Sequence, residues 1–303
     1  TQITTGERAS CAGCHEPRMS APAASAKRDV RVGRPPDALT PPPWGAGPVD
    51  YVRQVQPVLD RYCVRCHSGT APAGKADLSG DKTRFFSMSY DTLIDRQMAV
   101  YYFINPGPTG VFPALKTGSL VSRITQFIED KHHGVEVDDE SRRRIYAWID
   151  ANVQYYATYD MSRSHTMGGR DTWHFVPENK RVKPCPEPWL VELNANYGKH
   201  CASCHGPLAE AGGRTRKNLW LNLTRPENSL LLNAHLAKPA GGLGLVGVRN
   251  GRSAPVIAST QDGVYRALLT AIRQGKESLD KRPRMDMPGA VATPQARDFG
   301  RTF

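Results

Sequence analysis

Cys63-Val64-Arg65-Cys66-His67 is one of three copies of a single five-residue pattern in this chain of 303 residues. The other copies are Cys11-Ala12-Gly13-Cys14-His15 and Cys201-Ala202-Ser203-Cys204-His205. The pattern C-x-x-C-H is typical of c-type haem attachment. One helical turn between the cysteines brings both thiols over one porphyrin edge, and the next residue points its imidazole at the iron. The pattern predicts three covalently bound haem c groups, attached through Cys11, Cys14, Cys63, Cys66, Cys201 and Cys204, with His15, His67 and His205 as proximal iron ligands.

Two other kinds of site use paired cysteines. A redox-active C-x-x-C of the thioredoxin type needs no following histidine and belongs to a βαβ pattern, which this sequence lacks. A zinc site can use two cysteines and one histidine, but it also needs a fourth ligand and does not require histidine directly after the second cysteine. Three complete copies therefore favour haem over both alternatives.

The composition favours short helices joined by long loops. Hydrophobic residues make up 39% of the chain, and there are 27 glycines and 24 prolines. The prediction is a mainly α, loop-rich multihaem cytochrome c, in which short helices pack around the covalent haems. Each porphyrin is a large apolar plate that makes up for the shortage of core-forming side chains.

The net charge of +11 does not indicate nucleic acid binding. Haem propionates need arginine and lysine partners, which accounts for part of the excess. The basic residues are also scattered, and Arg142-Arg143-Arg144 is the only short run. We therefore expect redox protein partners and no nucleic acid, with a homo- or hetero-oligomer left open.

The location follows from the cofactor. No run of 18 apolar residues is present, so no transmembrane segment is predicted. The first five residues do not look like the start of a secretory signal, so we expect a processed chain or a fragment. Haem c is attached outside the bacterial cytoplasmic membrane, which predicts a periplasmic or extracellular protein.

The seventh cysteine, Cys185, is expected to be buried and inert, with an intermolecular disulfide or a ligand role as alternatives.

The motifs and the proline-rich stretches predict five segments. They are an N-terminal haem segment (1–34), a Pro/Gly-rich extended linker (35–48), a second cytochrome c module (49–160), a loop linker (161–188) and a third cytochrome c module (189–303).

Helix signals occur around the second and third motifs, and no strand pattern persists. Helices are predicted over 57–62, over 119–133 with Ser119 as N-cap and Gly134 after its end, and over 139–156 with Asp138 as N-cap. In the third module we expect a short helix leading into Cys201, a leucine-rich helix after Asn228, and a helix capped by Asp262 that stops at Gly275.

The sixth iron ligand decides between electron transfer and catalysis, because a second His or Met closes the iron to substrates. For the second haem the predicted ligands are His132 or His133. For the third haem His235, Met285 and Met287 compete. The first haem has no clear sixth ligand, although Met19 is close in sequence.

Several stretches resemble the haem-binding C-terminal part of hydrazine synthase alpha-subunit-related proteins. They are residues 6–16, 55–67, 131–135 and 147–152, with shorter similarity at 220–227 and 284–289. The resemblance implies exported multihaem proteins in which two histidines ligate the second haem. It also implies a β-propeller before the first motif, and a tyrosine ligand four residues after the first motif histidine. Met19 occupies that position here, which is a departure from hydrazine chemistry.

The sequence thus predicts a trihaem c-type cytochrome that transfers electrons outside the cytoplasm, within a larger complex or a chain of subunits. The alternative is a haem enzyme with one open five-coordinate iron, either hydrazine-synthase-like or di-haem-peroxidase-like. The spacing of Cys63 and Cys201 resembles the peroxidase layout, but the third haem is extra. No acid–base constellation is evident, which favours the electron carrier over an enzyme. A purely structural role, with the first haem completed by a neighbouring chain, is a third reading.

Overall fold

A computed structural model describes residues 38–101, 115–157, 173–176, 181–184, 187–208, 219–245, 248–249, 252–253 and 257–291. The first motif, Met19 and Cys185 lie outside these residues, as does the side chain of Cys204. The chain divides into two compact units, Thr1–Gly45 and Ala46–Phe303. The described part of the predicted linker is largely exposed and contains a turn, in which the Gly45 amide donates to the Pro42 carbonyl at 2.9 Å.

The fold is mainly helical, as predicted. Its helices are α1 (Gln56–Tyr62), α2 (Met88–Asp95), α3 (Arg123–Glu129), α4 (Asp139–Asp150), α5 (Pro188–His200), α6 (Ala202–His205), α7 (Leu230–Asn233) and α8 (Gly263–Lys281). A π-helical turn, Tyr51–Val55, runs directly into α1. Two antiparallel hairpins add four short strands: β1 (Trp173–Val176) with β2 (Arg181–Pro184), and β3 (Val248–Arg249) with β4 (Arg252–Ser253). Among the described residues, no helix is long and apolar enough to span a membrane.

The first core draws its side chains from residues 51–156 and is rich in aromatic rings. Tyr51 is fully buried, and its ring meets Tyr90 and Trp148 edge-on, with centroids 5.1 and 5.0 Å apart. Tyr155 stacks on the same ring at 5.5 Å. Edge-on and offset pairs suit the aromatic quadrupole, so this cluster fixes the π-helical turn against α4.

The second core draws its side chains from residues 189–279, and α5 packs along α8 at its centre. Leu193, Leu232, Leu268 and Ile272 are almost completely buried there. At the crossing, a Cβ added at Gly275 would lie 2.9 Å from two ring atoms of Trp189. The glycine therefore lets the indole lie against the backbone of α8.

The two cores are joined by a buried arginine. Arg284 is 1% exposed, and its guanidinium donates to the carbonyls of Thr83, Arg84 and Phe86 at 2.7, 3.1 and 2.6 Å. Its remaining donors reach both carboxylate oxygens of Asp286 at 2.9 Å. We call this set of contacts the Arg284 lock.

Asp286 ties the lock to the first core in turn. Tyr155 donates its hydroxyl to Asp286 at 2.8 Å, and Lys82 lies 3.1 Å from the same carboxylate. A second bridge is formed by Arg225, which donates to Asp81 at 2.7 Å. The contacts of Arg284 with residues 83–86, of Asp286 with Lys82 and of Arg225 with Asp81 all reach the chain segment before α2.

Two helix starts were predicted correctly. Asp138 caps α4, since its side chain accepts a hydrogen bond from the Ser141 amide, and Asp262 caps α8 through the Val264 amide. The predicted cap Ser119 is wrong. Asp150 accepts hydrogen bonds from the amide and hydroxyl of Ser119, which begins a 3₁₀ turn instead.

Several predicted helix ends and loops are also wrong. The helix predicted to 133 ends at Glu129, because Lys131 takes a left-handed φ of 49°. The helix predicted to 156 ends at Asp150, before the left-handed Asn152 and Val153. The helix α8 continues through Gly275 to Lys281, and the glycine makes room for the Trp189 ring instead of ending the helix. The predicted loop 161–188 contains the hairpin of β1 and β2, and three of the four residues of β1 favour strands: Trp173, Phe175 and Val176.

Replacing Gly275 with alanine should destabilise the protein. A methyl group against the Trp189 ring overpacks the helix crossing by about 1–3 kcal/mol, which outweighs a gain in helix propensity of about 1 kcal/mol. The matched control is Gly198→Ala in α5, where no atom lies within 4 Å of the added Cβ. Denaturant unfolding of the two variants should move in opposite directions, and equal stabilisation of both would contradict the close packing.

Replacing Arg284 with methionine should cost much more than removing an exposed arginine. The change leaves Asp286 buried without its main partner, which costs about 3–5 kcal/mol. The control is Arg273→Met, which removes an exposed ion pair with Glu227 and should cost less than about 1 kcal/mol. Comparable unfolding midpoints for the two variants would exclude the lock.

The ion pair of Asp286 and Arg284 predicts that the free energy of unfolding depends on pH. Burial alone would raise the pKa of Asp286, but the Arg284 charge and hydrogen bonds, with Lys82 and Tyr155, hold that pKa well below its usual range. The stabilisation is therefore complete above the unfolded pKa of about 3.9 and is lost as the pH falls through the folded value. Arg284→Met should lose less stability than the wild type over that acid range.

Candidate haem sites

The second motif follows α1 without a break. The amides of Cys66 and His67 donate to the Cys63 carbonyl at 3.2 and 3.0 Å, which closes a tight turn around the two cysteines. Cys63 is half-buried, Cys66 is exposed, and both thiols are free. The turn therefore presents two thiols from one short segment, as thioether attachment requires.

The Cys63 thiol does not suit thioredoxin-type chemistry. Burial raises its pKa to about 11, and the charge of Cys66 adds to the shift. Reactive thiols of redox C-x-x-C sites have lowered pKa values, because the thiolate is the nucleophile. The environment of Cys63 thus disfavours the redox alternative.

A cavity of about 650 Å³ opens beside these cysteines. Cys63, Cys66, His67, His132 and His133 line it together. Cofactor and ligand sites commonly occupy about 300–1,000 Å³ and have mostly apolar walls. Most of the remaining described lining is apolar: Val58, Leu78, Met98, Ile124, Phe127, Ile128, Val135, Val137 and Ile145.

His67 and His132 face each other across this cavity. Their ring centroids are 6.3 Å apart and their planes differ by 30°. Two imidazoles that bind one metal from opposite sides, each at about 2 Å, have centroids roughly 6 Å apart. The spacing fits one iron between the rings. The His67 Nδ1–H donates to the Ala73 carbonyl at 3.0 Å, which orients the ring and leaves Nε2 available.

His132 begins the 3₁₀ turn His132–Gly134, and its ring packs against two neighbouring aromatic rings. Its ring centroid lies 4.9 Å from that of Phe127 and 4.2 Å from that of His133. Burial lowers the pKa of His132, and the charges of His133 and His67 lower it further. The neutral imidazole, which is the form that binds metals, is therefore favoured.

The third motif also brings two histidines together. The helix α5 ends at His200, and α6 carries the motif to His205. The Nε2 atoms of His205 and His235 are 3.1 Å apart. The His235 Nδ1–H donates to the Leu245 carbonyl at 2.7 Å, so the lone pair on its Nε2 accepts the hydrogen bond from the His205 Nε2–H.

The nitrogens of this second pair are at hydrogen-bond distance, so an iron between them would require the two rings to move apart. Two nitrogens that bind one metal are roughly 4 Å apart, about 1 Å more than the distance between His205 and His235. Trp220 lies edge-on to His205 with centroids 6.0 Å apart.

The two methionines predicted as alternative ligands lie elsewhere. Met287 packs against the second core, and Met285 is half-buried beside the Arg284 lock.

The backbone acceptors were missed from the sequence. The carbonyls of Ala73 and Leu245 orient His67 and His235, yet backbone carbonyls leave no signal in residue types. Arg96 and Arg123 also line the cavity and were not singled out. Among the described residues, no group of three or more His, Cys, Asp or Glu could hold a metal ion. A haem site needs only two axial side chains, since the porphyrin supplies four nitrogens.

In comparisons with protein-family models, curated proteins and solved structures, no match to this chain was found.

Proposed function

We propose that this chain is a trihaem c-type cytochrome that transfers electrons between redox protein partners. The observation that carries the proposal is that each described motif histidine faces a second histidine. His67 faces His132 across an apolar cavity, and His205 faces His235. In the first of these pairs, the free thiols of Cys63 and Cys66 line the same cavity.

The paired imidazoles favour electron transfer over catalysis. When bound, haem c supplies an iron that takes up and releases one electron. Histidine on both faces leaves no coordination position for a substrate. The carbonyls of Ala73 and Leu245 hold their imidazoles in one orientation, and the apolar lining limits access of water.

For the third haem we propose His235, and not Met285 or Met287, as the sixth ligand. The nitrogen of His235 is already within 3.1 Å of His205. Met287 is used in the second core, where a flexible thioether fills space between apolar side chains. For the second haem we propose His132, with His133 as a packing neighbour.

The first haem is proposed from its motif alone, through Cys11, Cys14 and His15. Because the sequence assigns it no sixth ligand, it is where an open iron would lie. A hydrazine-synthase-like or di-haem-peroxidase-like enzyme is therefore the second candidate function.

The cellular setting is proposed on the same grounds. Covalent haem attachment through Cys63, Cys66 and their equivalents would take place outside the cytoplasmic membrane, which supports a periplasmic or extracellular location. The resemblance to hydrazine synthase alpha-subunit-related proteins supports two histidine ligands at the second haem, and it suggests a larger redox complex or a homo- or hetero-oligomer.

The deciding experiment is spectroscopy on the full chain produced with a c-type haem maturation system. A pyridine haemochrome assay should give three haems per chain, and oxidised and reduced spectra should show low-spin iron unchanged by carbon monoxide. One high-spin haem that binds carbon monoxide would favour the enzyme alternative. A chain without covalent haem would exclude both functions.

The assignment of sixth ligands predicts which histidines keep an iron closed to carbon monoxide. His132→Ala and His235→Ala should each convert one of the three haems to a form that binds carbon monoxide, because one axial position opens. The matched controls His133→Ala and Met287→Leu should leave the low-spin spectrum unchanged. Magnetic circular dichroism and carbon monoxide titration measure the change. If a control opens an iron and its partner variant does not, the assignment is reversed.

A further inference from the structure

Two arginines stand out in the otherwise apolar lining of the cavity beside Cys63 and Cys66. Arg96 and Arg123 both line it, and both are exposed to solvent, so their guanidinium groups lie at its rim. No carboxylate belongs to the described lining. The rim is therefore positively charged.

Arg96 belongs to the wall that holds His67. It follows α2 directly and donates to the carbonyls of Gly74, at 2.8 Å, and Lys75. The preceding residue, Ala73, is the acceptor that orients the His67 ring. Arg96 is thus fixed against the same turn that positions the proximal histidine.

Arg123 belongs to the opposite wall, which holds His132. It is the first residue of α3, and its guanidinium carbon lies 5.5 Å from the centroid of Phe127. Phe127 in turn packs against His132. One guanidinium group therefore comes from each of the two walls that carry the facing imidazoles.

Neither arginine is used in an ion pair within the described part of the chain. By contrast, Arg142 and Arg144 are paired with Asp139 and Glu140 on the exposed face of α4. Two guanidinium groups that have no ion pair among the described residues, at the rim of an apolar cavity, suit anionic partners. Arginine suits carboxylates best, since its planar fork donates two parallel hydrogen bonds.

We propose that Arg96 and Arg123 bind the two propionate carboxylates of the haem attached to Cys63 and Cys66. This inference rests on the proposed function. It fixes which edge of the porphyrin faces the rim. It also assigns a tuning role, because a positive charge near the iron favours the reduced state and raises the reduction potential.

Arg123→Gln is the primary test, because Arg96 also supports the turn at Ala73. The full trihaem chain is titrated spectroelectrochemically, and a Cys63→Ala/Cys66→Ala variant identifies the step that belongs to this haem. Arg123→Gln should shift that step to lower potential and leave the other two in place. Arg123→Lys, which keeps the charge, should stay close to the wild type.

The control is Arg143→Gln, which removes the same charge from an exposed position of α4 outside the described lining. A shift in Arg123→Gln no larger than in this control overturns the inference. If Arg123→Gln loses the haem, Arg123→Lys decides: retention at the wild-type potential supports the inference, and loss in both overturns it. Failure of the proposed function is distinct, since the wild type itself would then lack haem on Cys63 and Cys66.

Discussion

The buried guanidinium of Arg284 is the constraint on which the arrangement of the two cores depends. A charge with 1% exposure is costly to bury, and it is tolerated because five hydrogen bonds to three carbonyls and one carboxylate satisfy it. Those carbonyls belong to Thr83, Arg84 and Phe86, in a segment that begins before α2. The lock thus gives carbonyls of irregular backbone the hydrogen-bond donors that regular structure would otherwise supply. Asp286 completes it and reaches Tyr155 in the first core.

The sequence led to more specific expectations for the candidate site than for the packing. The three motifs, the adjacent His132 and His133, and His235 carry residue types whose chemistry is specific, and two of the three distal histidines lie opposite motif histidines. In the segment 284–289 the sequence pointed to the methionines and to a family similarity, and not to a packing role for Arg284 and Asp286. The structure uses Arg284 and Asp286 between them, a contact with residues some 200 positions away that follows no local period.

Helix boundaries failed for local physical reasons. Of the helix predicted over 119–133, only Arg123–Glu129 is α-helical, because Asp150 binds Ser119 and Lys131 takes a left-handed conformation. The break has a use, because it places His132 in a turn instead of on a continuous helix face. Gly275 has the residue type of a helix end and serves as a contact surface for Trp189. A glycine alone does not distinguish these two uses.

The pairing of His67 and His205 with later histidines has a consequence for chain topology. If iron joins His67 to His132 and His205 to His235, each bond closes a loop within one core. Closing a loop removes conformational entropy from the unfolded chain, and the effect grows slowly with loop length. The loop from His67 to His132 is the longer of the two, so coordination would act more strongly as a cross-link in the first core. Each cofactor would then cross-link the core that holds it. Loss of an iron ligand would destabilise the protein as well as alter its electron affinity.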